Sequence, residues 1–159
     1  MPNVFLISDT HFGHTNIIKY CGRPFATPQE MDEALVENWN ATVGKYDKIY
    51  HLGDVSMSHK ALPILERLNG TKILIKGNHD IFALKYYTPY FKDIRGSHEL
   101  GGAVLTHIPV HESQKTRYLA NIHGHTHEKN LPDPWYVNVS VEQTNYTPIS
   151  FDVVAQSLR

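Results

Sequence analysis

The sequence has little cysteine and no excess of either charge. Cys21 is the only cysteine among 159 residues, so the chain cannot form an intramolecular disulfide bond. The 15 basic and 16 acidic residues give a net charge of -1, which excludes a global electrostatic attraction to nucleic acid or to an anionic membrane. Residues 1–3 lack the charged segment of a signal peptide and lead directly into an apolar run. We therefore expect a protein of the reducing cytoplasm that has no membrane partner.

Histidine, by contrast, is abundant, with 11 histidines against one cysteine. This balance favours metal sites built from imidazole and carboxylate groups over zinc sites built from thiolates. A length of 159 residues predicts one domain, residues 1–159, which buries about two thirds of the surface that the unfolded chain exposes. We expect no second hydrophobic core.

Short apolar runs alternate with helical patterns, which predicts an α/β architecture. The capping box Thr27-Pro28-Gln29-Glu30 predicts the start of a helix that continues to Thr42. A second helix is expected over residues 60–68, with Pro63 in its first turn, and a shorter one after Asp80. The predicted strands are residues 4–7, 48–52, 72–75, 103–106, 118–122, 136–139 and 149–154.

Side chains that can bind metals follow these apolar runs in a fixed order. The motifs are Asp9-x-His11, Gly53-Asp54, Gly77-Asn78-His79-Asp80, His107 and Gly124-His125-Thr126-His127. In open α/β sheets, ligands bind outside the carboxyl ends of the strands, so these segments should converge on one edge. Residues two apart on a strand point to the same side, which would align Asp9 with His11, and His125 with His127. The glycines before Asp54 and Asn78 would let the backbone approach the site closely.

The ordered set resembles the calcineurin-like metallophosphoesterase superfamily, over residues 9–127. The resemblance implies a two-sheet β-sandwich flanked by helices, a four-layer αββα fold with its metals in loops at one edge. It also implies two divalent metal ions, manganese first, with iron, nickel, cobalt or zinc as alternatives. One ion would be held by Asp9, His11, Asp54 and His127, and the other by Asp54, Asn78, His107 and His125.

The leftover histidine, His79, is the predicted general acid. Successive side chains diverge, so Asn78 and His79 cannot easily bind the same ion, and His79 is free to face the substrate. By the resemblance, a hydroxide that bridges the two metals would attack the phosphorus, and His79 would protonate the leaving group or hold a phosphoryl oxygen. Asp80 is a candidate orienting partner for His79.

The remaining polar residues near the motifs are less well defined. His14 and Arg23 are predicted to bind substrate because they lie in the segment that follows His11, although Arg23 is equally suited to pairing with a surface carboxylate. His107 is preferred as a ligand to His111, which lies beyond Pro109, because His107 directly ends an apolar run. Of the other histidines, His123 is expected to support the ligands, His51 to face away from them, and His59 and His98 to lie on the surface.

Departures from the family's protein phosphatases favour a phosphodiesterase. Val55-Ser56-Met57 follows Asp54 where those enzymes have an Asp-Arg pair three residues on, and Asp80 replaces a glutamate. The short spacings leave no room for a cap domain, so the site should be open. We expect hydrolysis of a small phosphodiester, such as a nucleotide or cyclic nucleotide. The alternatives are a nuclease for single-stranded or damaged nucleic acid, which the near-neutral charge disfavours, and a non-catalytic protein-interaction scaffold.

Overall fold

The computed structural model describes residues 2–158, so residues 1 and 159 of the predicted domain lie outside the described part. Within this part, none of the helices is both long and apolar enough to cross a membrane. The strands are β1 (Val4–Ile7), β2 (Lys48–His51), β3 (Thr71–Ile75), β4 (Asp93–Arg95), β5 (His98–Leu100), β6 (Ala103–Leu105), β7 (Asn121–His123), β8 (Tyr136–Asn138) and β9 (Ile149–Ser150). The α-helices are α1 (Thr15–Tyr20), α2 (Pro28–Thr42) and α3 (Phe151–Ser157).

The strands form two mixed sheets. The first has the order β4-β3-β2-β1-β9, with β1 to β4 parallel and β9 antiparallel to β1. The second has the order β5-β6-β7-β8, with only the β5–β6 pair antiparallel. The α/β architecture of two sheets flanked by helices is therefore confirmed.

The first sheet is buried on both faces. Leu6, Tyr50 and Ile73 are neighbours across three parallel strands, and they pack between the sheets against residues such as Leu105 of β6. Residues one position along these strands point to the other face, where they pack with Trp39 of α2. Burial on both faces explains why these strands are continuous apolar runs rather than alternating patterns.

The helix predicted from the capping box is confirmed. The Thr27 side chain accepts a hydrogen bond from the Glu30 amide at 3.1 Å, while the Glu30 carboxylate accepts from the Ala26 amide. The helix continues to Thr42, and its apolar side chains face the first sheet. It thereby fixes the segment after His11, which lies between β1 and α2.

Two predicted elements are of the wrong type. Residues 149–154 are not one strand, because β9 ends at Ser150 and α3 starts at Phe151. Phe151 and Val154 are three residues apart and both pack into the core, which is helical spacing, whereas Val153 is exposed. Residues 60–67 of the helix predicted over residues 60–68 lie in a 3-10 helix, His59–Arg67, with Pro63 in its middle, where the missing N–H disfavours α-helical bonding.

Other boundaries differ because local turns intervene. The strand predicted over residues 118–122 starts only at Asn121, since the Tyr118 amide bonds to Gln114 in a preceding turn. The helix expected after Asp80 is one 3-10 turn, Leu84–Tyr86. No pattern in the sequence predicts α1, β4 or β5, which are short and have few buried apolar residues.

Candidate metal centre

The predicted ligands lie in loops that leave the strands with unusual backbone geometry. Five of them have positive φ angles of 50° to 70°, a left-handed conformation that is rare outside glycine: Asp9, His11, Asp54, His125 and His127. The parity prediction is therefore wrong in its reasoning, because β1 ends at Ile7 and β7 at His123. Strained backbone of this kind is concentrated at functional sites.

A first group of side chains consists of Asp9, His11 and His127. One ligand atom from each lies within 4.8 Å of the others. The Asp9 Oδ1 atom is 3.4 Å from His127 Nε2 and 3.8 Å from His11 Nε2. Two of these atoms, Asp9 Oδ1 and His11 Nε2, are buried without a hydrogen-bond partner among residues 2–158. Orphaned buried polar atoms of this kind are what a bound cation would satisfy.

A second group consists of Asp54, Asn78, His107 and His125. His125 Nδ1 lies 3.3 Å from His107 Nε2 and 3.2 Å from Asn78 Oδ1, and His107 Nε2 lies 3.3 Å from Asp54 Oδ2. His107 Nδ1 donates to the Leu52 carbonyl at 2.7 Å, which turns Nε2 toward Asp54. His111 instead caps a 3-10 helix by accepting from the Ser113 amide.

Asp54 connects the two groups. Its Oδ2 atom is 3.3 Å from His107 Nε2 and also 3.6 Å from His11 Nε2 of the first group. Both groups offer a mixture of nitrogen and oxygen atoms and no thiolate. This donor set fits two divalent metal ions that share one carboxylate, with the same division of ligands that the resemblance implies.

The carboxylates of both groups are held in the ionised form. Burial raises the pKa of Asp54, but contacts with His107 and His11 outweigh it and keep the pKa far below its usual range. Burial also raises the pKa of Asp9, but contacts with histidines outweigh it and lower the pKa below its usual value. Although burial opposes it, the contact with Asp54 raises the pKa of His107 to about 9. The site is thus prepared for positive charge, which protons or metals can supply.

Two glycines let these loops approach each other closely, as expected. A Cβ atom on Gly53, whose φ is +103°, would lie 2.6 Å from the Gly77 amide nitrogen. A Cβ atom on Gly77 would lie 2.4 Å from Asp54 Oδ1. Any side chain at either position would push the loops after β2 and β3 apart, and with them Asp54 and Asn78.

Asp80 supports the ligand loops rather than His79. Its carboxylate accepts hydrogen bonds from the backbone amides of Asp54, Val55 and Gly77 at 2.7 to 3.0 Å. It is fully buried, and burial raises its pKa despite those three amides. The expectation that Asp80 orients His79 is therefore not supported by the geometry.

His79 contacts the shared carboxylate instead. Its backbone amide donates to Asp54 Oδ1, and its Nδ1 atom lies 2.9 Å from Asp54 Oδ2. The imidazole remains 45 % exposed, the most accessible of the side chains that contact Asp54. It is therefore within reach of a substrate that approaches the two groups from solvent.

Arg23 lies under the site, not on its surface. Its guanidinium donates to Glu142 and to the carbonyls of Asp9 and Thr10, at 2.6 to 2.9 Å, and it is only 4 % exposed. These partners fix the backbone on either side of Asp9. The prediction that Arg23 binds substrate conflicts with this placement. His14 is part-exposed, and its Nδ1 atom lies 3.3 Å from that of His11, so it stays a candidate substrate contact.

Glu142 is a supporting residue of the site that no sequence motif indicates. Its Oε2 atom accepts from His127 Nδ1 at 2.9 Å and from the Arg23 guanidinium at 2.9 Å. A carboxylate on the remote nitrogen of a metal-ligating histidine fixes the ring and makes it a better ligand. Glu142 lies outside every motif, and only its position in three dimensions identifies this role.

His51 ties the first two ligand loops together. The Gly53 amide donates to its Nδ1, so its Nε2 carries the proton and donates to the Thr10 hydroxyl at 2.9 Å. The Thr10 hydroxyl then donates to the Val55 carbonyl. Burial lowers the pKa of His51 to about 3, which keeps the ring neutral and this chain of hydrogen bonds intact.

The other histidines lie outside the two groups. His123 is buried with its Nδ1 atom 2.7 Å from the Gly124 carbonyl, next to the loop that carries His125. His59 is exposed, and His98 is part-exposed against Tyr50. These positions agree with the expectation that His123 supports the candidate ligands and that His59 and His98 lie on the surface.

Comparisons with known proteins agree with this geometry. The family model of the calcineurin-like phosphoesterase superfamily domain matches residues 3–144. The chain is similar to an uncharacterized protein of Methanocaldococcus jannaschii, with 39% identity over 98% of this chain and 91% of that protein. It is also similar to the gene 66 protein of Mycobacterium phage L5, with 31% identity over 79% of this chain and 60% of that protein.

One solved structure has nearly the same extent as this chain. It is that of AQ665, a protein of unknown function from Aquifex aeolicus, with a TM-score of 0.79 and 27% sequence identity. The match covers 99% of this chain and 100% of that one. The similar protein is therefore also small, and the match leaves none of its length for an inserted cap.

Proposed function

The chain belongs to the calcineurin-like phosphoesterase superfamily, whose members are in general metal-dependent phosphoesterases, and on that basis we propose that it hydrolyses a phosphodiester with the aid of two divalent metal ions. The observation that carries this proposal is the position of Asp54, whose Oδ2 atom lies within 3.6 Å of ligand atoms in both groups. Two ions held there would lower the pKa of the attacking water and stabilise the charge on the phosphoryl group.

His79 is the group best placed to donate a proton. Its Nδ1 atom contacts Asp54, and its part-exposed ring can present Nε2 to the oxygen of the leaving group. General acid catalysis of this kind contributes a factor of about 10² to 10⁴ in rate.

The pairing of Arg23 next to the first group favours a diester over a monoester. A monoester is a dianion at neutral pH, and it therefore needs one more positive partner than a diester monoanion. Arg23, whose guanidinium lies beneath Asp9, is occupied by Glu142 and two backbone carbonyls and cannot supply that partner. We therefore propose as substrate a small diester, such as a cyclic nucleotide or another diester of a nucleotide.

Manganese is the metal we expect to support the reaction in the cell. The donor atoms are imidazole nitrogens, carboxylates and one amide oxygen, a set that also accepts iron, cobalt, nickel or zinc. The availability of each metal in the cell therefore decides which ion is bound more than the affinity of the site does. The part-buried free thiol of Cys21 suits a reducing cytoplasm.

A substrate comparison tests the proposal directly. The purified protein is loaded with Mn²⁺ and assayed with bis(p-nitrophenyl) phosphate, p-nitrophenyl phosphate, 2′,3′-cyclic nucleotides and single-stranded oligonucleotides. We expect a higher kcat/KM on the bis ester than on the monoester, and turnover of cyclic nucleotides. A preference for the monoester would refute the diester proposal, and preferred cleavage of the oligonucleotides would assign a nuclease instead. The assay is repeated with Fe²⁺, Co²⁺, Ni²⁺ and Zn²⁺, and no hydrolysis with any of the five metals would refute the proposed phosphodiesterase and favour the non-catalytic scaffold.

A further inference from the structure

A cavity of about 360 Å³ opens beside the second group. Two members of that group, Asn78 and His107, form one wall of the cavity. The rest of the lining comes from Lys76, directly after β3, from the segment where the chain crosses from β4 to β5, and from the loop after β6. The volume is in the range of small-molecule sites, and the cavity adjoins candidate metal ligands.

The cavity walls differ in chemistry. Ile108 and Val110 form an apolar side, and Ile108 is 51 % exposed. The polar part of the lining includes the hydroxyl of Ser97 and the side chain of Lys76, which is the one lysine or arginine there. The second hydroxyl of the lining, on Thr106, is already used, because it donates to the Ile108 carbonyl and accepts from Asn121.

Lys76 is held in place by its backbone. Its amide donates to the Arg95 carbonyl at 2.9 Å, which extends the pairing of β3 with β4 by one residue. It therefore lies at the end of β3, two residues before Asn78. Arg95 itself pairs with Asp93 at 2.7 Å, whereas within residues 2–158 the Lys76 ammonium forms no salt bridge. Lys76 thus brings an uncompensated positive charge to the cavity.

We propose that this cavity selects a phosphodiester in which one ester group carries a second phosphate. The second phosphate pairs with the Lys76 ammonium and the Ser97 hydroxyl, and the body of the ester group lies against Ile108 and Val110. The reacting phosphate then lies at Asn78 and His107, the ligands shared by the cavity wall and the second group. This inference rests on the proposed phosphodiesterase function and adds the substrate class to it.

The effect on substrate choice should be moderate and dependent on salt. Lys76 is exposed, so its pairing with phosphate is screened by ions in solution. A hydrogen bond between charged groups contributes enough to change kcat/KM by about tenfold. The gain should appear mainly in KM, because the second phosphate lies away from the bond that breaks.

Two matched chromogenic diesters test this proposal. They are the p-nitrophenyl ester of thymidine 5′-phosphate and the same ester with an added 3′-phosphate. We expect the Mn²⁺-loaded wild type to prefer the second by about tenfold in kcat/KM, and this preference to shrink in 0.5 M salt. The Lys76→Met variant should lose the preference, whereas Lys45→Met, on the turn before β2, should retain it. Lys76→Arg should keep part of it.

Calorimetry provides a readout that does not depend on turnover. The dissociation constants of thymidine 3′,5′-bisphosphate and thymidine 5′-phosphate should differ about tenfold for the wild type and be equal for Lys76→Met. Equal constants for the wild type, or a preference that survives Lys76→Met, would overturn the inference even when both diesters are hydrolysed. If neither diester nor bis(p-nitrophenyl) phosphate is hydrolysed, the proposed function fails instead. Competition by oligothymidylate against the bisphosphate distinguishes a nucleic-acid strand from a small molecule as the source of the second phosphate.

Discussion

The Asp80 carboxylate accepts a hydrogen bond from the backbone amide of Asp54 at 2.8 Å, so one buried acid fixes the backbone of another. The same Oδ2 atom accepts from the Gly77 amide, just before Asn78. Asp80 therefore joins the loops after β2 and β3, which carry one candidate ligand each. It positions these candidate ligands and does not itself face the two groups.

Replacing Asp80 with asparagine should loosen both loops. The new amide group would face backbone N–H donors that now bond to oxygen, and each lost buried bond costs about 1 to 3 kcal/mol. We expect the metal-free variant to lose about 2 to 4 kcal/mol of unfolding free energy in urea, and its metal affinity to fall. Asp93→Asn, at an exposed position, is the control. Unchanged stability of the Asp80 variant would contradict the positioning role.

Asp54→Ala should remove both metals together. The carboxylate lies within 3.6 Å of ligand atoms from both groups, so its loss weakens two sites at once. Elemental analysis after dialysis against trace Mn²⁺ should find far less than one ion per chain, against about two for the wild type. His125→Ala should cost one ion only, because His125 belongs to the second group alone. A variant at position 54 that retains two ions would rule out a shared carboxylate.

Glu142→Gln should weaken the first group specifically. Glutamine keeps the size of the side chain but removes the charge that His127 and Arg23 share. Loss of such an outer partner typically lowers metal affinity by about 10- to 100-fold. Titration of Mn²⁺ by calorimetry should show one weakened site and one unchanged site. The matched control is Glu99→Gln on β5, and equal weakening of both sites would argue against a role through His127.

His79→Ala should reduce turnover while the metals stay bound. An alkoxide leaving group needs a proton, whereas p-nitrophenolate departs almost unaided. We expect kcat to fall by about 10² to 10⁴ on a cyclic nucleotide and by less on bis(p-nitrophenyl) phosphate, with metal content unchanged. His59→Ala, at an exposed position of the 3-10 helix His59–Arg67, serves as the control. Equal losses on both substrates would indicate a phosphate-binding role, and full activity on the cyclic nucleotide would redirect attention to His14 or His111.

Asp32 should make stability fall as pH rises. Burial raises the pKa of this carboxyl to about 6, even though the Gly13 amide donates to it. The folded state thus holds a proton that the unfolded state loses near 3.8, so stability is greatest below pH 3.8 and declines as the pH rises from 3.8 through 6. Asp32→Asn removes this decline, and its stability relative to wild type should rise by about 1 to 2 kcal/mol between pH 4 and 7, allowing for partial exposure. If urea unfolding gave the same stability difference between Asp32→Asn and the wild type at both pH values, the prediction would be contradicted.

The sequence could indicate the candidate ligands because their order along the chain is distinctive. It could not indicate the residues that hold these candidate ligands in place. Glu142 and His51 act through contacts between distant segments, and Arg23 stands in a loop with nothing local to show that it is buried. The pairing of Asp9 with His11 was expected from strand parity, yet it arises from left-handed loop geometry that the sequence pattern does not encode.

The fold was predictable where burial is strong and poorly so where strands are short. The strand that ends at Ile7 is buried on both faces, and it was located correctly from its apolar run. Strand β4 has three residues at the edge of the first sheet and no fully buried side chain, so no apolar run marked it. The segment from Ile149 was assigned wholly to a strand because a short apolar run does not distinguish a strand from a helix.

The candidate ligands come from both sheets, with Asp9, His11 and Asp54 following strands of the first and His107, His125 and His127 following strands of the second. Two cations bound between these residues would crosslink the two sheets, since separating the sheets would break several coordination bonds at once. Ligation would therefore raise the barrier to unfolding and give the protein a kinetic stability that its core alone does not provide. Chelators would then remove the mechanical coupling between the sheets together with any chemistry at the metals.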